Sequence, residues 1–489
     1  MELYQKARIA EKSEIKDIAY KVNIFDEEYK AGGPPLLFEK QNMYLDTSDS
    51  HVMFVGTSGS GKTNFLKYVI VTSIRAGENL VVLDLKQELY NQFHEELKNK
   101  GYKVVVMNFR DILRSVRWNK LRRIYKLYKS KKPSDNKKAM EELDSIATEI
   151  VRDDGAREKY WQDAAKFTFI GLVEALFIVG RPEQINLASV NYMLTRGSER
   201  FAASTYLKTL YEIIGESSTA CVNIGVYLNN ATETRNAVES VLRRGLSKLI
   251  ASEALNDTFS NDGFDISSID NEKTAIFIVT PDETTKYKKH SEIFINQIYQ
   301  QYLSLAHEKY NGRLPIRTNF ILEEFGNMRI EDAPTMFSAV RSRNIRMYCV
   351  LQSFAQLEQY GPEAKVIKDN CGLFFFFHTP DIETLEEFSR LSGERRVDIN
   401  GQPSIKPILS ATDLLSLKID EVYFRMKDGV QHVTKIPHFS KAGIKEPKQV
   451  EVEEREFKEI SLFDIQEFVK SKKREKFSKM TADLSNVPF

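Results

Sequence analysis

The sequence is poor in features that define specialised classes of protein. Its 489 residues include only three cysteines, at positions 221, 349 and 371, and these form no CxxC pair. Such spacing indicates reduced core thiols rather than a disulfide framework or a zinc site. An excess of one charge is lacking too, because 70 Lys and Arg residues balance 69 Asp and Glu residues. Any surface that binds a polyanion must therefore be local.

Long apolar runs are also missing. The best candidate for a membrane span, 167–180, is too short and carries Glu174, so a buried helix is the better interpretation. The first 17 residues contain no apolar core, which argues against a signal peptide. With 42% hydrophobic and 28% charged residues, the chain has the composition of a soluble globular protein of roughly three domains. We expect it to be cytoplasmic.

What is present is an alternation of apolar runs and helical patterns typical of a parallel α/β sheet. Strands are predicted at 51–55, 79–86, 102–109, 274–280, 319–324, 346–352 and 372–379, and a hairpin at 421–437. Between about 136 and 256 only helical periodicity is found, and this interval is too long for a loop within one sheet. Helices are predicted there at 136–151, 158–179, 200–214, 218–228 and 232–255. We therefore predict a helical domain inserted into an α/β domain.

The segment GTSGSGKT, 56–63, matches the P-loop pattern GxxxxGK[ST] at every defined position. Its glycines let the backbone wrap around a phosphate, Lys62 brings a positive charge to the outer phosphates, and Thr63 offers a hydroxyl to Mg²⁺. A glycine-rich turn with a surface lysine is the alternative, but the motif lies between an apolar strand and a helical pattern, as a P-loop requires. We therefore predict that ATP and Mg²⁺ bind here, in contact with Gly56, Thr57, Ser58, Gly59, Ser60, Gly61, Lys62 and Thr63.

Two adjacent carboxylates, Glu323 and Glu324, end the predicted strand 319–324. Buried adjacent carboxylates are costly unless something cationic or hydrogen-bonding receives them. In P-loop proteins a second strand ends in acidic residues that face Mg²⁺ and the γ-phosphate. We assign Glu323 to Mg²⁺, through water, and Glu324 to the attacking water as orienting group or base. A solvent-facing pair at the start of a loop is the alternative.

Two further polar residues end other strands of the predicted sheet. Ligands in open α/β sheets lie beyond the carboxyl ends of the strands. Gln352, at the end of 346–352, is therefore expected to sense the γ-phosphate or to position the water. Asp84, in VVLDLK, ends the strand that follows the P-loop helix. A role at the nucleotide and a role in capping the next helix are equally compatible with Asp84.

A cluster of arginines, Arg341, Arg343 and Arg346, lies just before the strand that ends in Gln352. A guanidinium there could reach the phosphate of a neighbouring subunit and stabilise charge in transfer, as an arginine finger does. Arg343 is the first choice for that role. A solvated or acid-paired cluster is equally compatible with the sequence.

Several segments outside the P-loop carry a more specific pattern. They are VVLDLKQELY (81–90), SVRWNKL (115–121), YWQDAAKFTFIGLVEAL (160–176), ILEEFGNM (321–328), RSRNIRMYCVLQSFAQLEQYG (341–361) and IKDNCGLFFFF (367–377). Together with GTSGSGKT they resemble the coupling-protein ATPases of conjugation and type IV secretion, the TraG/TraD type, over most of 45–440. The resemblance implies a RecA-like P-loop domain, a mostly parallel sheet flanked by helices, with an inserted all-α domain.

The predicted divisions of the chain follow from these patterns. They are an N-terminal helix and loop at 1–45, a nucleotide-binding domain in two parts at 46–130 and 263–440, an inserted all-α domain at 131–262, and a charged C-terminal extension at 441–489.

The resemblance also implies an activity and partners. It implies a hexameric ring that hydrolyses ATP, binds single-stranded DNA with its relaxase, and drives or hands over the DNA through secretion-channel components. The sequence departs from the family in three ways: Glu323 replaces an Asp, DLKQE at 84–88 lacks a proline and a glycine, and the first 50 residues contain no transmembrane helix. Unless the chain is a shortened one, we expect a membrane protein partner to recruit it to the inner face of the membrane.

Direct binding of DNA has partial support from the sequence. The basic segment 110–132 interleaves Trp118, Tyr125 and Tyr128, a mixture that can follow phosphates and stack on bases. A solvated amphipathic connector is the alternative. Three functions stay open: a DNA-pumping ATPase, a nucleotide-gated receptor for protein cargo, and a small-molecule kinase, which the large helical insertion and the arginine cluster disfavour.

Overall fold

The computed structural model describes residues 8–152, 159–215, 217–330, 332–399, 402–442, 450 and 452–485. The strands in these ranges are β1 (Tyr20–Asn23), β2 (Pro35–Glu39), β3 (Asn42–Leu45), β4 (His51–Val55), β5 (Asn79–Asp84), β6 (Lys103–Asn108), β7 (Arg200–Phe201), β8 (Ser204–Thr205), β9 (Thr274–Val279), β10 (Thr318–Leu322), β11 (Ile345–Leu351), β12 (Cys371–Phe376), β13 (Glu394–Ile399), β14 (Gln402–Pro407), β15 (Glu421–Met426) and β16 (Gln431–Lys435). The α-helices are α1 (Lys12–Ile18), α2 (Lys62–Arg75), α3 (Glu88–Asn99), α4 (Arg122–Lys129), α5 (Pro133–Val151), α6 (Lys159–Val179), α7 (Leu187–Gly197), α8 (Tyr206–Ile214), α9 (Thr219–Leu228), α10 (Thr232–Leu249), α11 (Glu253–Ser260), α12 (Lys288–Glu308), α13 (Ala333–Ala339), α14 (Ala364–Asn370), α15 (Ile382–Leu391), α16 (Ala411–Leu415) and α17 (Ile465–Ser485).

The main sheet has nine strands within the described ranges, in the order β16-β15-β12-β4-β11-β10-β5-β9-β6. The strands from β12 to β6 are parallel, whereas β15 and β16 join antiparallel at one side. Every residue of β4, β5, β9, β10 and β11 is buried, as expected for strands covered on both faces. Because these strands are parallel, their carboxyl ends meet at one edge of the sheet.

Aromatic packing fixes the helix that follows the P-loop. Phe65 of α2 packs against both Phe54 of β4 and Phe375 of β12, with ring centroids 5.3 and 4.7 Å away. All three side chains are buried, and burial of such large rings is a main source of stability. The first turn of α2 is thereby held over the carboxyl end of β4.

A small antiparallel sheet, in the order β1-β3-β2, precedes the main sheet and follows α1. For 1–45 the predicted division named a helix and a loop, and the turn-rich pattern of 20–50 also indicated that this loop leads into hairpin strands. The antiparallel pair β2–β3 is such a hairpin. The turn-rich segment AGGPP at 31–35 left the bounds of the strands undetermined. Pro35 is nevertheless the first residue of β2, a position where proline is tolerated in a strand.

The chain forms two compact units. The α/β unit comprises Met1–Arg110 and Ile269–Val452, and the helical unit comprises Asp111–Ser268 and Glu453–Phe489. The helical unit therefore begins earlier than the predicted insertion at 131–262 and includes the end of the chain.

Side-chain contacts tie the C-terminal segment into the helical unit. Arg455 pairs with the carboxylate of Asp257 and donates to the carbonyl oxygen of Ser115 at 2.9 Å. Further along, the N–H of Phe463 donates to Oγ of Ser189 at 3.0 Å. An alternating charge pattern could not predict this docking, because it depends on partners distant in sequence.

The helix α6 forms the centre of the helical unit. Its one acid within the apolar run, Glu174, is 1% exposed and accepts hydrogen bonds from Oγ1 of Thr219 at 2.5 Å and Nδ2 of Asn223 at 2.7 Å. These bonds satisfy a carboxylate that would otherwise be costly to bury. The predicted buried helix is confirmed. No helix of the described ranges is long and apolar enough to cross a membrane.

Caps explain where the predicted helices were wrong. The single helix predicted at 232–255 ends at Leu249, and Ser252 accepts the N–H of Leu255 to begin α11. The predicted helix at 200–214 is replaced in its first part by the hairpin β7–β8, after which Thr205 caps α8. The helix α7, which the patterns missed, likewise begins at a capping asparagine. Ser, Thr and Asn are favoured at this position because their side-chain oxygens accept free N–H groups.

Of the aromatic residues in the basic segment 110–132, Trp118 is buried in the helical unit, whereas Tyr125 and Tyr128 are half-buried. Trp118 is 1% exposed and lies edge-on against a phenylalanine of α11. The rings of Tyr125 and Tyr128 pack on Phe177 of α6, with centroids 5.4 and 5.2 Å away. The base-stacking interpretation is therefore wrong for Trp118 and unsupported for the two tyrosines. The contacts favour the amphipathic connector.

Candidate nucleotide-binding site

A cavity of about 620 Å³ opens at the carboxyl edge of the main sheet, entirely within the α/β unit. The predicted site residues that line it are Ser58, Gly59, Gly61, Lys62, Thr63, Glu323, Glu324 and Gln352. They follow β4, β10 and β11, which are adjacent in the sheet but distant in sequence. Parallel strands thus bring the P-loop, the acidic pair and the glutamine together, as the sequence predicted.

The P-loop has a backbone that only glycine adopts easily. Gly59 and Gly61 have φ angles of 77° and 97°, which are strained for residues with a side chain. A Cβ at Gly56 would lie 2.5 Å from Cβ of Phe377. Oγ of Ser60 is buried and has no hydrogen-bond partner within the part of the chain that the structure describes. A phosphate oxygen would supply that partner, and the N-terminus of α2 would favour its charge.

Lys62 is the buried cation of the site. It is 7% exposed, and Nζ donates to the carbonyl oxygens of Gly56 and, at 2.7 Å, of Thr57. Burial lowers the pKa of Lys62, and the charges of Glu324 and Glu323 oppose that shift. Because carbonyl oxygens carry no full charge, phosphate oxygens would be stronger acceptors for this ammonium group.

Thr63 and Glu323 join the P-loop helix to the end of β10. Oγ1 of Thr63 donates to Oε1 of Glu323 at 2.6 Å. Burial raises the pKa of Glu323 from 4.5 to about 7, and the carboxylates of Asp84 and Glu324 add to the shift while the Thr63 bond opposes it. A divalent cation would favour the ionised form, and hydroxyl and carboxylate oxygens are ligands that Mg²⁺ accepts together with phosphates. These residues fit Mg²⁺.

Glu324 reaches the same cavity because the strand ends in a left-handed turn. Adjacent strand residues point to opposite faces, but Glu324 has φ 58° and ψ 35°. Its carboxylate accepts from Nε2 of Gln352 at 3.0 and 3.1 Å and from Nδ2 of Asn327 at 2.6 Å. Amide donors, and not a cation, therefore receive the second carboxylate.

Asp84 serves the turn that follows β5. Its carboxylate accepts the N–H of Glu88 at 3.1 Å and the N–H of Tyr90 at 2.8 Å. Burial raises the pKa of Asp84 to about 6, and these main-chain bonds oppose the shift. Of the two roles left open, the contacts favour the structural one. Asp84 acts on the site through its charge beside Glu323.

Arg341 and Arg343 precede β11 at the opposite edge of the sheet, and Arg346 is the second residue of that strand. Arg343 donates to the carbonyl oxygen of Ala339 and, at 3.3 Å, to Nε2 of His307. It is not among the described residues that line the cavity of its own chain, and a role across a subunit interface stays a prediction. Arg346 is fully buried and donates to a tyrosine hydroxyl of β11 at 3.1 Å, so it cannot reach another subunit.

Sequence reasoning missed several residues of the cavity. Asn327 follows the acidic pair in the turn Phe325–Asn327, and a polar residue in that turn was an available signal. Lys288, Ile419 and His438 also line the cavity. Lys288 is the first residue of α12 and the other two lie in loops. The position of all three depends on the folded sheet, and nothing local to them pointed to a site.

Comparison with known proteins identifies the family of the chain. The family model "Type IV secretory system Conjugative DNA transfer" matches residues 2–406. Conjugal transfer protein TraG of Rhizobium radiobacter is 23% identical over 372 residues, 72% of this chain and 53% of that protein. TraG of Agrobacterium fabrum is 23% identical over 409 residues, 76% of this chain and 58% of that protein. The chain thus spans little more than half the length of these curated relatives.

Solved structures show the fold. The plasmid coupling protein TrwB in complex with ADP and Mg²⁺ superposes with a TM-score of 0.65 at 15% identity, over 92% of this chain and 94% of that chain. TrwBdeltaN70 in its unbound form gives 0.64 at 15% identity, over 88% and 92%. The predicted RecA-like P-loop fold is confirmed. With the family model covering most of its length, this chain belongs to the family of type IV secretory system conjugative DNA transfer proteins.

Proposed function

We propose that this chain binds ATP with Mg²⁺ and hydrolyses it to drive or hand over single-stranded DNA into a type IV secretion channel. The observation that carries the proposal is the 2.6 Å bond between Thr63 and Glu323. It brings a P-loop hydroxyl and an acidic strand end to one point, as Mg²⁺ binding requires. The complex of the coupling protein TrwB with ADP and Mg²⁺ supports a ligand of this kind.

The predicted site residues divide the tasks of this reaction among them. The glycine backbone and Lys62 hold the phosphates, and Thr63 and Glu323 would hold the metal ion. Mg²⁺, when bound, would neutralise the charge that develops on the phosphate oxygens. Gln352 and Glu324 orient the water that attacks the γ-phosphorus, and Glu324 takes its proton while the bond to the β-phosphate oxygen breaks.

The partners belong to the proposal as well. The family points to DNA transfer, and we propose a relaxase-bound single strand as cargo, secretion-channel components as recipients, and a ring of six subunits as the active form. We also propose that the protein works at the cytoplasmic face of a membrane, recruited by a membrane protein. In the ring, Arg343 would stabilise the phosphate charge in the neighbouring subunit.

ATPase measurements with single-stranded DNA test the proposal. We expect turnover that rises with DNA, and a stimulation that falls steeply with salt, because contacts with phosphates release counterions. Lys62→Ala is the control and should show no turnover.

A receptor for protein cargo is the second candidate. It is favoured by the packing of Trp118, Tyr125 and Tyr128 against other rings of the helical unit, where they cannot all serve as a base-stacking surface. Turnover that is indifferent to DNA but responds to a relaxase would support the receptor and contradict the motor.

A further inference from the structure

A closed ring of hydrogen bonds joins Glu324 to three residues that carry amides. Nδ2 of Asn327 and Nε2 of Gln352 both donate to the Glu324 carboxylate. Nε2 of Gln356 donates to Oδ1 of Asn327 at 3.0 Å, and the main-chain N–H of Gln352 donates to Oε1 of Gln356 at 2.7 Å. The ring therefore connects the end of β10 with the end of β11 through side chains and a single main-chain N–H.

The carboxylate sets the direction of every bond in this ring. An ionised carboxylate only accepts hydrogen bonds, so the –NH₂ groups of Asn327 and Gln352 must face it. Oδ1 of Asn327 then points away and accepts from Gln356, whose own Oε1 is left to accept from the N–H of Gln352. One arrangement of donors satisfies all four residues, and such fully satisfied networks hold their members in place.

The packing around Gln356 shows, independently of its hydrogen bonds, that the fold fixes the position of this side chain. A Cβ at Gly326, between Glu324 and Asn327, would lie 2.2 Å from Oε1 of Gln356. Only glycine at 326 leaves room for the amide. Gln359, one turn further along the same 3₁₀ segment Phe354–Glu363, donates to the carbonyl oxygens of Gly326 at 3.0 Å and Met328 at 3.2 Å.

We propose that Asn327 and Gln356 are positioning residues for hydrolysis, which fix Glu324 and Gln352 relative to each other. The inference rests on the proposed function, because it assigns Glu324 and Gln352 to the attacking water. Glu324 has a left-handed backbone, which an L-residue rarely adopts. The two amide donors, Asn327 and Gln352, fix the direction in which its carboxylate points from that turn. Gln356 thus ties the segment 354–363 to both residues.

Paired variants of the whole 489-residue chain test this proposal. In Gln356→Met the side chain keeps its length and loses both hydrogen bonds. We expect kcat to fall by about tenfold to a hundredfold, the cost of a base displaced by about 1 Å. KM and the Kd of a non-hydrolysable ATP analogue should change less than about twofold, because Lys62 and the glycine backbone are untouched. Asn327→Ala should behave alike, and the double variant should lose little more than either single variant, since both open the same ring.

Gln359→Met is the matched control on the same segment. It removes bonds to main-chain carbonyls of the same turn without opening the ring, and we expect kcat within about threefold of wild type. An equal fall of kcat in Gln359→Met and Gln356→Met would show that Gln356 has a merely structural role and would overturn the proposal. A rise in the Kd of the ATP analogue that parallels the fall of kcat in Gln356→Met would do the same. Full turnover in Gln356→Met would overturn it while leaving the proposed function intact. A wild-type protein without turnover, with or without DNA, would reject both.

Discussion

The two edges of the main sheet both carry charged side chains but use them differently. At the amino-terminal edge the charges are paired with one another: Arg317 and Arg313 donate to Asp49 at 2.8 and 2.9 Å, and Arg317 also lies 3.6 Å from the carboxylate of Glu78. The carboxyl edge also has ion pairs, such as that of Arg110 with Asp282 and Glu283, but the three charged side chains assigned to the nucleotide have neutral partners. Lys62 donates to carbonyl oxygens, Glu323 accepts from a hydroxyl, and Glu324 accepts from amides.

The difference separates structural charges from functional ones. A charge with an oppositely charged neighbour is already compensated, whereas a charge that lines a cavity and has neutral partners stays available for a charged ligand. The cation and the carboxylates of the carboxyl edge match the two kinds of charge in Mg-ATP. Substitutions at the two edges should therefore differ sharply in their effect on turnover.

Lys62→Ala should have the largest effect. We expect turnover to fall by about a thousandfold or more and nucleotide binding to weaken, because the phosphates lose their buried cation. Arg313→Ala, at the exposed side of the opposite edge, is the control and should leave turnover unchanged with a stability loss of about 1 kcal/mol or less. ATPase rates and thermal melts of both variants measure these expected changes in turnover and stability. Wild-type turnover in Lys62→Ala would reject the site.

Glu324→Gln should separate binding from turnover. The variant keeps its size but loses the proton acceptor, so we expect ATP to stay bound while kcat falls by about a hundredfold or more. Binding of a fluorescent ATP analogue and release of phosphate are measured on the same preparation. Hydrolysis at the wild-type rate would mean that another residue is the base.

Arg343→Ala tests whether the amino-terminal edge acts on a second subunit. We expect turnover to fall by about tenfold, which corresponds to the loss of one hydrogen bond to a charged group. Mixing Arg343→Ala with Lys62→Ala chains should recover part of the activity, because some interfaces then combine an intact P-loop with an intact arginine. No recovery at any mixing ratio would argue against action between subunits.

The pH dependence of stability should show the smallest effect, and it depends on Glu323. Its pKa is raised from 4.5 to about 7 in the folded protein, so the folded state binds more protons than the unfolded state between those values. Stability from this group is therefore present below about pH 4.5 and is lost as the pH rises through about 7. Without nucleotide or Mg²⁺, the Tm of Glu323→Gln relative to wild type should rise steadily from about pH 5 to about pH 8. A constant difference in Tm would contradict the assigned burial.

Much of the sheet and of the site could be predicted because both depend on local patterns. Buried parallel strands are continuous apolar runs, and β4, β10 and β11 are each followed by polar groups that the sheet brings to one edge. Helix boundaries at Leu249 and Tyr206 could not be read from periodicity, because single capping residues decide them. The strands β1 to β3 are short and interrupted by turn residues, and they are stabilised by tertiary packing.

The roles of individual polar residues were harder to predict for a geometric reason. Arg343 and Arg346 are near neighbours in sequence, but β11 begins at Ile345, so one guanidinium stays outside the sheet and the other is buried in it. The ring around Glu324 depends on a left-handed turn and on the direction of four side chains. No pattern in the sequence determines those directions.

The contribution of Glu323 to metal-dependent nucleotide binding tests the central claim most directly. The Kd of a non-hydrolysable ATP analogue is measured by calorimetry with Mg²⁺ and with a chelator, in wild type and in Glu323→Ala. We predict that Mg²⁺ tightens binding by about tenfold or more in wild type, and that this gain is largely lost in the variant. An equal gain in both proteins would contradict the site, because the acidic end of β10 would then take no part in holding the metal.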